Sequence, residues 1–245
     1  MLLAVSYYIL YPHVFRCQTI RYSDFYSIRK QIWLSPEIKP DKSRRIINLI
    51  DAAEKRNQQF WGKKLGQATI IICATPEEYE KFCHSGEGAG CSISTPLNDS
   101  YIVLNSSSLN IDVVSHEMCH VELYSRLGWW KSTFGVPQWF HEGLALMLDY
   151  RFVAEQDSVQ RYKGYDKQLY LLKKQGYAPV RLSEISSMKG FFGGNQLYIN
   201  RSYMTAGREV GEWLSIAGKE SLPLLIREVN NGKDFEVTYF QLKQK

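Results

Sequence analysis

The sequence predicts an α+β fold, with a small mixed sheet in the first half of the chain and mostly helices after it. Three observations carry this. The β-branched and apolar runs Ala68–Ala74 and Tyr101–Leu104 both precede residue 105. Beyond residue 110, apolar residues recur mainly at helical spacing. The composition, 44% hydrophobic and 22% charged, is that of an ordinary globular chain, which excludes a disordered tail, a collagen-like chain and a coiled coil.

The elements follow in order. Residues 1–16 open with an apolar stretch that carries no charge until Arg16. It is about 15 residues long, short of the roughly 20 a membrane-crossing helix needs. It reads as the end of a membrane anchor, an atypical export signal or a buried segment. The tyrosine-rich end followed by Arg16, Arg21, Arg29 and Lys30 resembles a membrane–water border and favours the first. This places the chain at a cell envelope, periplasmic or membrane-anchored, with a cytoplasmic setting as the alternative. Residues 17–245 read as one domain, since no internal repeat or low-complexity linker divides them.

Asp41 or Ser43 can cap a helix running to about Trp61, with Ile46, Leu49, Ile50, Ala53 and Phe60 at helical spacing. Ala68–Ala74 is a buried strand. Thr75-Pro76-Glu77-Glu78 starts a short helix ending near Cys83, with a Thr cap and Pro at the first position. Two strands, near residues 91–94 and 101–104, are joined by a loop. A helix spans about 111–127 and stops at Gly128, a loop carries Trp129, Trp130 and Pro137, and another helix covers about 138–151. Residues 155–175 read as a helix whose Arg161, Lys163, Lys167, Lys173 and Lys174 form a solvated face. Residues 190–194 are a glycine-rich break. Asn200 or Ser202 starts a helix to Ile216, and a last helix covers about 220–229.

The net charge of +5 comes from 30 basic and 25 acidic residues with no basic run, so nucleic acid is not an expected partner. None of the five cysteines makes a CxxC pair, so a zinc ribbon is not expected. Cys83 and Cys91 flank the glycine-rich turn 84–90; they read either as a disulfide or as two small buried hydrophobes.

Chemistry concentrates in His116-Glu117-Met118-Cys119-His120. Histidines at i and i+4 share one face of a helix and can reach one zinc ion, while Glu117 beside them can act on a water as general base. The chain has only five histidines, so an accidental HExxH pattern is improbable. Cys119 points off the histidine face and reads as a core residue. A catalytic zinc needs a third protein ligand. Residues 123 and 126 are Leu and Arg, so an HxxGxxH continuation fails, and the next candidates are His141 and Glu142.

The segment Trp139-Phe140-His141-Glu142-Gly143-Leu144-Ala145 resembles the gluzincin clan of zinc metallopeptidases, closest to the peptidase MA-like branch with its WxxEGxA segment. The specific motifs lie within 116–145. The resemblance implies a zincin-like fold, a Zn2+ cofactor held by His116, His120 and Glu142, and Glu117 as base, with peptide or protein as substrate. His141 stands where aminopeptidases usually have Asn and falls to a supporting place. Gly143 would let the HExxH helix and the next helix approach closely. Tyr203, in Arg201-Ser202-Tyr203-Met204, is the candidate to steady an oxyanion, with Tyr198 second. The strand 101–105 would be a sheet edge that takes an extended peptide by strand addition. The GxMEN segment of aminopeptidases is absent. The alternative is a zinc-binding, catalytically inactive zincin-fold interaction protein.

Overall fold

The computed structural model describes residues 8–83 and 88–244. The start of the apolar N-terminal stretch and part of the turn 84–90 lie outside them. The fold is mixed α/β: a five-stranded sheet in the N-terminal half, then mostly helices. Two compact units divide the chain, Met1–Ser125 and Arg126–Lys245.

The first unit begins with α1 (Pro12–Gln18), β1 (Tyr26–Arg29) and β2 (Ile32–Leu34). There follow α2 (Ser43–Trp61), β3 (Thr69–Cys73), α3 (Pro76–Cys83), β4 (Gly90–Ser94), β5 (Ser100–Asn105) and α4 (Ile111–Leu127). The strand order is β1-β2-β3-β5-β4. The inner pairs β2–β3 and β3–β5 are parallel, and the outer pairs β1–β2 and β4–β5 are antiparallel. Side chains alternate across each strand, so β3 feeds two cores. Ile70 and Ile72 join Leu34, Ile102 and Leu104 against α2 and α4. Ile71 and Cys73 join Tyr101 and Val103 against Cys17 of α1 and Tyr79 and Phe82 of α3. Burial on both faces explains the continuous apolar run of β3.

The β1–β2 hairpin is an addition to the sequence reading. Its turn places Gln31 at φ 66°, the left-handed region that favours glycine, so no turn residue announces it. The strand 101–105, expected at an edge, is paired on both sides; β4 is the edge strand on that side of the sheet, and β1 is the other edge. Cys83 and Cys91 form a disulfide, which resolves the two sequence readings. No helix among the described residues is long and apolar enough to cross a membrane.

The second unit is helical: α5 (Trp129–Gly135), α6 (Gln138–Ala145), α7 (Ser158–Lys174), α8 (Met188–Phe192), α9 (Gln196–Ala217), α10 (Ser221–Asn230) and α11 (Phe235–Lys243). α9 packs against both α6 and α7. At Gly143 of α6 an added Cβ would stand 2.4 Å from the Ala206 carbonyl oxygen of α9. At Gly207 of α9 it would stand 2.8 Å from the Tyr165 ring of α7. The close approach at Gly143 is to α9.

Two further expectations are corrected here. α6 ends at Ala145, not near residue 151, and Arg161 is buried rather than solvated. The two facts meet in one place: the Arg161 guanidinium donates to the carbonyls of Leu146 and Asp149, where the chain leaves the helix. A fully buried guanidinium needs such acceptors.

Candidate metal centre

α4 is set by contacts on either side of its histidines. Asn110 caps it, accepting from Val113 N at 3.0 Å. Asn57 of α2 donates to the Ser115 carbonyl at 3.1 Å, one residue before His116. Two residues after His120, the buried Glu122 carboxylate accepts from Leu65 N and Gly66 N at 2.9–3.1 Å. Gly66 is small by necessity, since an added Cβ would lie 3.1 Å from Glu122 N. Val113, Val114, Met118 and Val121 enter the core under the sheet. The helix thus rests on fixed supports, and His116, Glu117 and His120 are all buried. The two imidazoles lie 4.9 Å apart between ring centres and nearly perpendicular, one turn apart on one face.

Gly90 of the edge strand β4 passes beside Glu117: an added Cβ there would lie 3.1 Å from the Glu117 Cγ. The backbone of β4 therefore runs close beside the glutamate, with little room for a side chain between them.

In the second unit α6 begins after Pro137 and is buried from Trp139 to Ala145. Gln138 donates to Glu142 Oε1 at 2.7 Å, one turn along the helix, which orients the carboxylate. His141 Nε2 donates to the Ser132 carbonyl of α5 at 2.9 Å. That bond fixes the Nε2–H tautomer and turns His141 toward α5, since adjacent helical residues diverge by about 100°. Burial holds the His141 imidazolium below its ordinary range. Trp139 sits in an aromatic core with Phe140, Phe235 and Tyr239.

His116, His120 and Glu142 form a buried group whose ligand atoms all lie within 4.8 Å of one another, and the group is also salt-bridged. Two imidazoles and a carboxylate are the donor set of a catalytic zinc, and bonds of about 2.1 Å would place such ligands about 3.4 Å apart, inside that limit. The residues fit a metal ion. Cys119 is buried and is not a member of the group.

Tyr203 lies on α9, its ring stacked on Phe152 at 5.8 Å and edge-on to Phe191 at 5.1 Å. Tyr198 sits in the first turn of α9 with its ring over Gly194, where an added Cβ would meet it at 2.4 Å. A cavity of about 330 Å³ in the first unit is lined by Asn57, Lys64, Gly66, Met118 and Glu122 among others, but not by His116, Glu117 or His120. The sequence reading missed the supports of the centre: Asn57, Gly90, Asn110, Glu122 and Gln138. Gln138 had a signal, a spacing of four from Glu142. The chain matches no protein-family model and no curated protein.

Proposed function

We propose that the chain is a zinc-dependent peptidase of gluzincin type. The observation that carries the proposal is the buried His116–His120–Glu142 group, with Glu117 on the same helix. A zinc held there would supply Lewis acidity, enough to bring the pKa of a water to about 7. Glu117 takes a proton from water and passes it to the departing amine, the two halves of general acid–base catalysis. Gln138 keeps one Glu142 oxygen engaged and its carboxylate aimed. β4, the edge strand beside Glu117, offers backbone groups to an extended peptide, so strand addition falls to β4 in place of β5. Tyr203 is the proposed oxyanion partner. A purely interaction-based role gives no reason for a buried carboxylate at residue 117, next to the metal group.

The test has two parts. Zinc content after metal supply is expected near one per chain, and Glu117→Gln is expected to keep that zinc while turnover of a general peptide substrate falls about a hundredfold or more. Equal turnover in parent and variant, with zinc bound in both, would sink the peptidase assignment.

A further inference from the structure

The short helix α5 shows two unlike faces. Ser132 is buried, and its carbonyl is the acceptor for His141. On the other side Trp130 is 66% exposed and Phe134 71% exposed. Their rings stack on each other at 5.6 Å, one helical turn apart, so they form one patch rather than two isolated residues. Lys131, exposed between the two rings in sequence, donates to the Asn230 carbonyl at the end of α10 at 2.8 Å. Asn230 is flanked in sequence by Arg227 and Lys233, 68% and 62% exposed at their side chains. Glu228 pairs with both of them, and the next acidic residue, Asp234, is turned into the cap of α11. Lys131, Arg227 and Lys233 are thus the exposed cations around Asn230, where Lys131 of the ring-bearing helix makes its contact.

We propose that this face of α5 docks on an anionic lipid surface, with Trp130 and Phe134 entering the headgroup region and Lys131, Arg227 and Lys233 facing lipid phosphates. The chemistry matches: aromatic rings concentrate at membrane–water borders, and basic residues beside them are drawn to anionic headgroups. The size matches as well. Two large aromatic side chains bury at most about 500 Å², short of the roughly 800 Å² per partner of a stable protein interface. The ring pair is a wedge for a bilayer rather than half of a dimer. This inference does not rest on the peptidase reading, and zinc content and turnover are independent of its outcome.

The test is co-sedimentation of the full chain with vesicles of phosphatidylglycerol and phosphatidylcholine, beside vesicles of phosphatidylcholine alone. The parent is expected to bind the anionic vesicles more strongly and to lose that binding at high salt. Trp130→Ala with Phe134→Ala is expected to cut binding about tenfold. Arg227→Gln is expected to cut it about fivefold on anionic vesicles alone. Both rings are exposed, so the double variant is expected to melt with the parent. The proposal is overturned if the parent ignores anionic vesicles, or binds neutral ones equally. It is also overturned if the double variant binds like the parent, which would leave the N-terminal stretch as the membrane contact. Self-association that the double variant abolishes, without vesicle binding, would make the patch a contact between copies and overturn it too.

Discussion

Gly143→Ala is the sharpest probe of how α6 is held. In an open helical position this change stabilises, by about 1 kcal/mol of helix propensity. Here the new methyl group would meet the Ala206 carbonyl oxygen at 2.4 Å and Val210 Cγ2 at 2.6 Å. Ordinary contact begins near 3.4 Å, so the helices must part by about 1 Å. α9 has little room to retreat, since an added Cβ at Gly207 would already lie 2.8 Å from the Tyr165 ring, and one at Gly211 3.3 Å from the Tyr162 backbone. Overpacking against a backbone atom belongs at the upper end of the usual 1–3 kcal/mol. Less the propensity gain, the net loss is about 2 kcal/mol. For a unit of this size that is a fall in melting temperature of roughly 6–10 °C. Glu142 is the next residue, and a metal site tolerates ligand shifts of only about 0.2 Å. Zinc affinity is therefore expected to fall with stability. Thermal unfolding by circular dichroism, with and without zinc, reads both. A melting temperature equal to or above that of the parent would refute the packing reasoning, because the propensity term would then stand unopposed.

Other consequences can be checked without a substrate. Glu142→Ala is expected to lose most bound zinc in a chelator competition, while His141→Ala, which loses its bond to the Ser132 carbonyl, keeps zinc and loses about 1–3 kcal/mol of stability. The reverse ranking would remove Glu142 from the ligand set. The cysteines offer a count: under denaturant alone a thiol reagent is expected to label three, and after reduction all five, because Cys83 and Cys91 are bridged. In the folded protein at pH 8 Cys17 and Cys73 should resist labelling, since burial pushes the Cys17 thiol up to about 12 and the Cys73 thiol higher still. The sign follows: the unfolded thiols ionise first, so stability should decline as pH rises through the ordinary thiol range. Rapid labelling of Cys17 in the native state would contradict its place in the core.

What the chain states openly and what it conceals divide along physical lines. The 111–127 helix is legible at both ends, because Asn110 caps it and Gly128 takes φ 77° after its stop. The histidine pair is legible because spacing four is a surface-independent fact of helix geometry. The β1–β2 hairpin is not, since strands of four and three residues show too few periods and Gln31 occupies the position glycine usually announces. α5 hides because a seven-residue helix with exposed Trp130 and Phe134 has the composition of a loop and the burial of a surface element. Arg161 hides because its shortest hydrogen bonds go to backbone carbonyls, which no side-chain pattern records. The edge position of β4 is a question of strand order, and order is set by long-range pairing.

The bridge between Cys83 and Cys91 also acts as a ratchet stop for β4. In a strand, odd and even residues face opposite ways, so a slip of one residue exchanges the two faces. Gly90, opposite Leu104, faces α4 and Glu117, and Cys91, opposite Val103, is bonded to the end of α3. Sliding β4 by one place would bring Ala89 or Cys91 to the position Gly90 holds, where a Cβ would press on Val113, Leu104 and Glu117 at 3.0–3.1 Å. The bond that tethers Cys91 to the end of α3 opposes the move. An edge strand paired on one side only is ordinarily the part of a sheet freest to creep; here the neighbour of the residue nearest Glu117 is anchored by a covalent link.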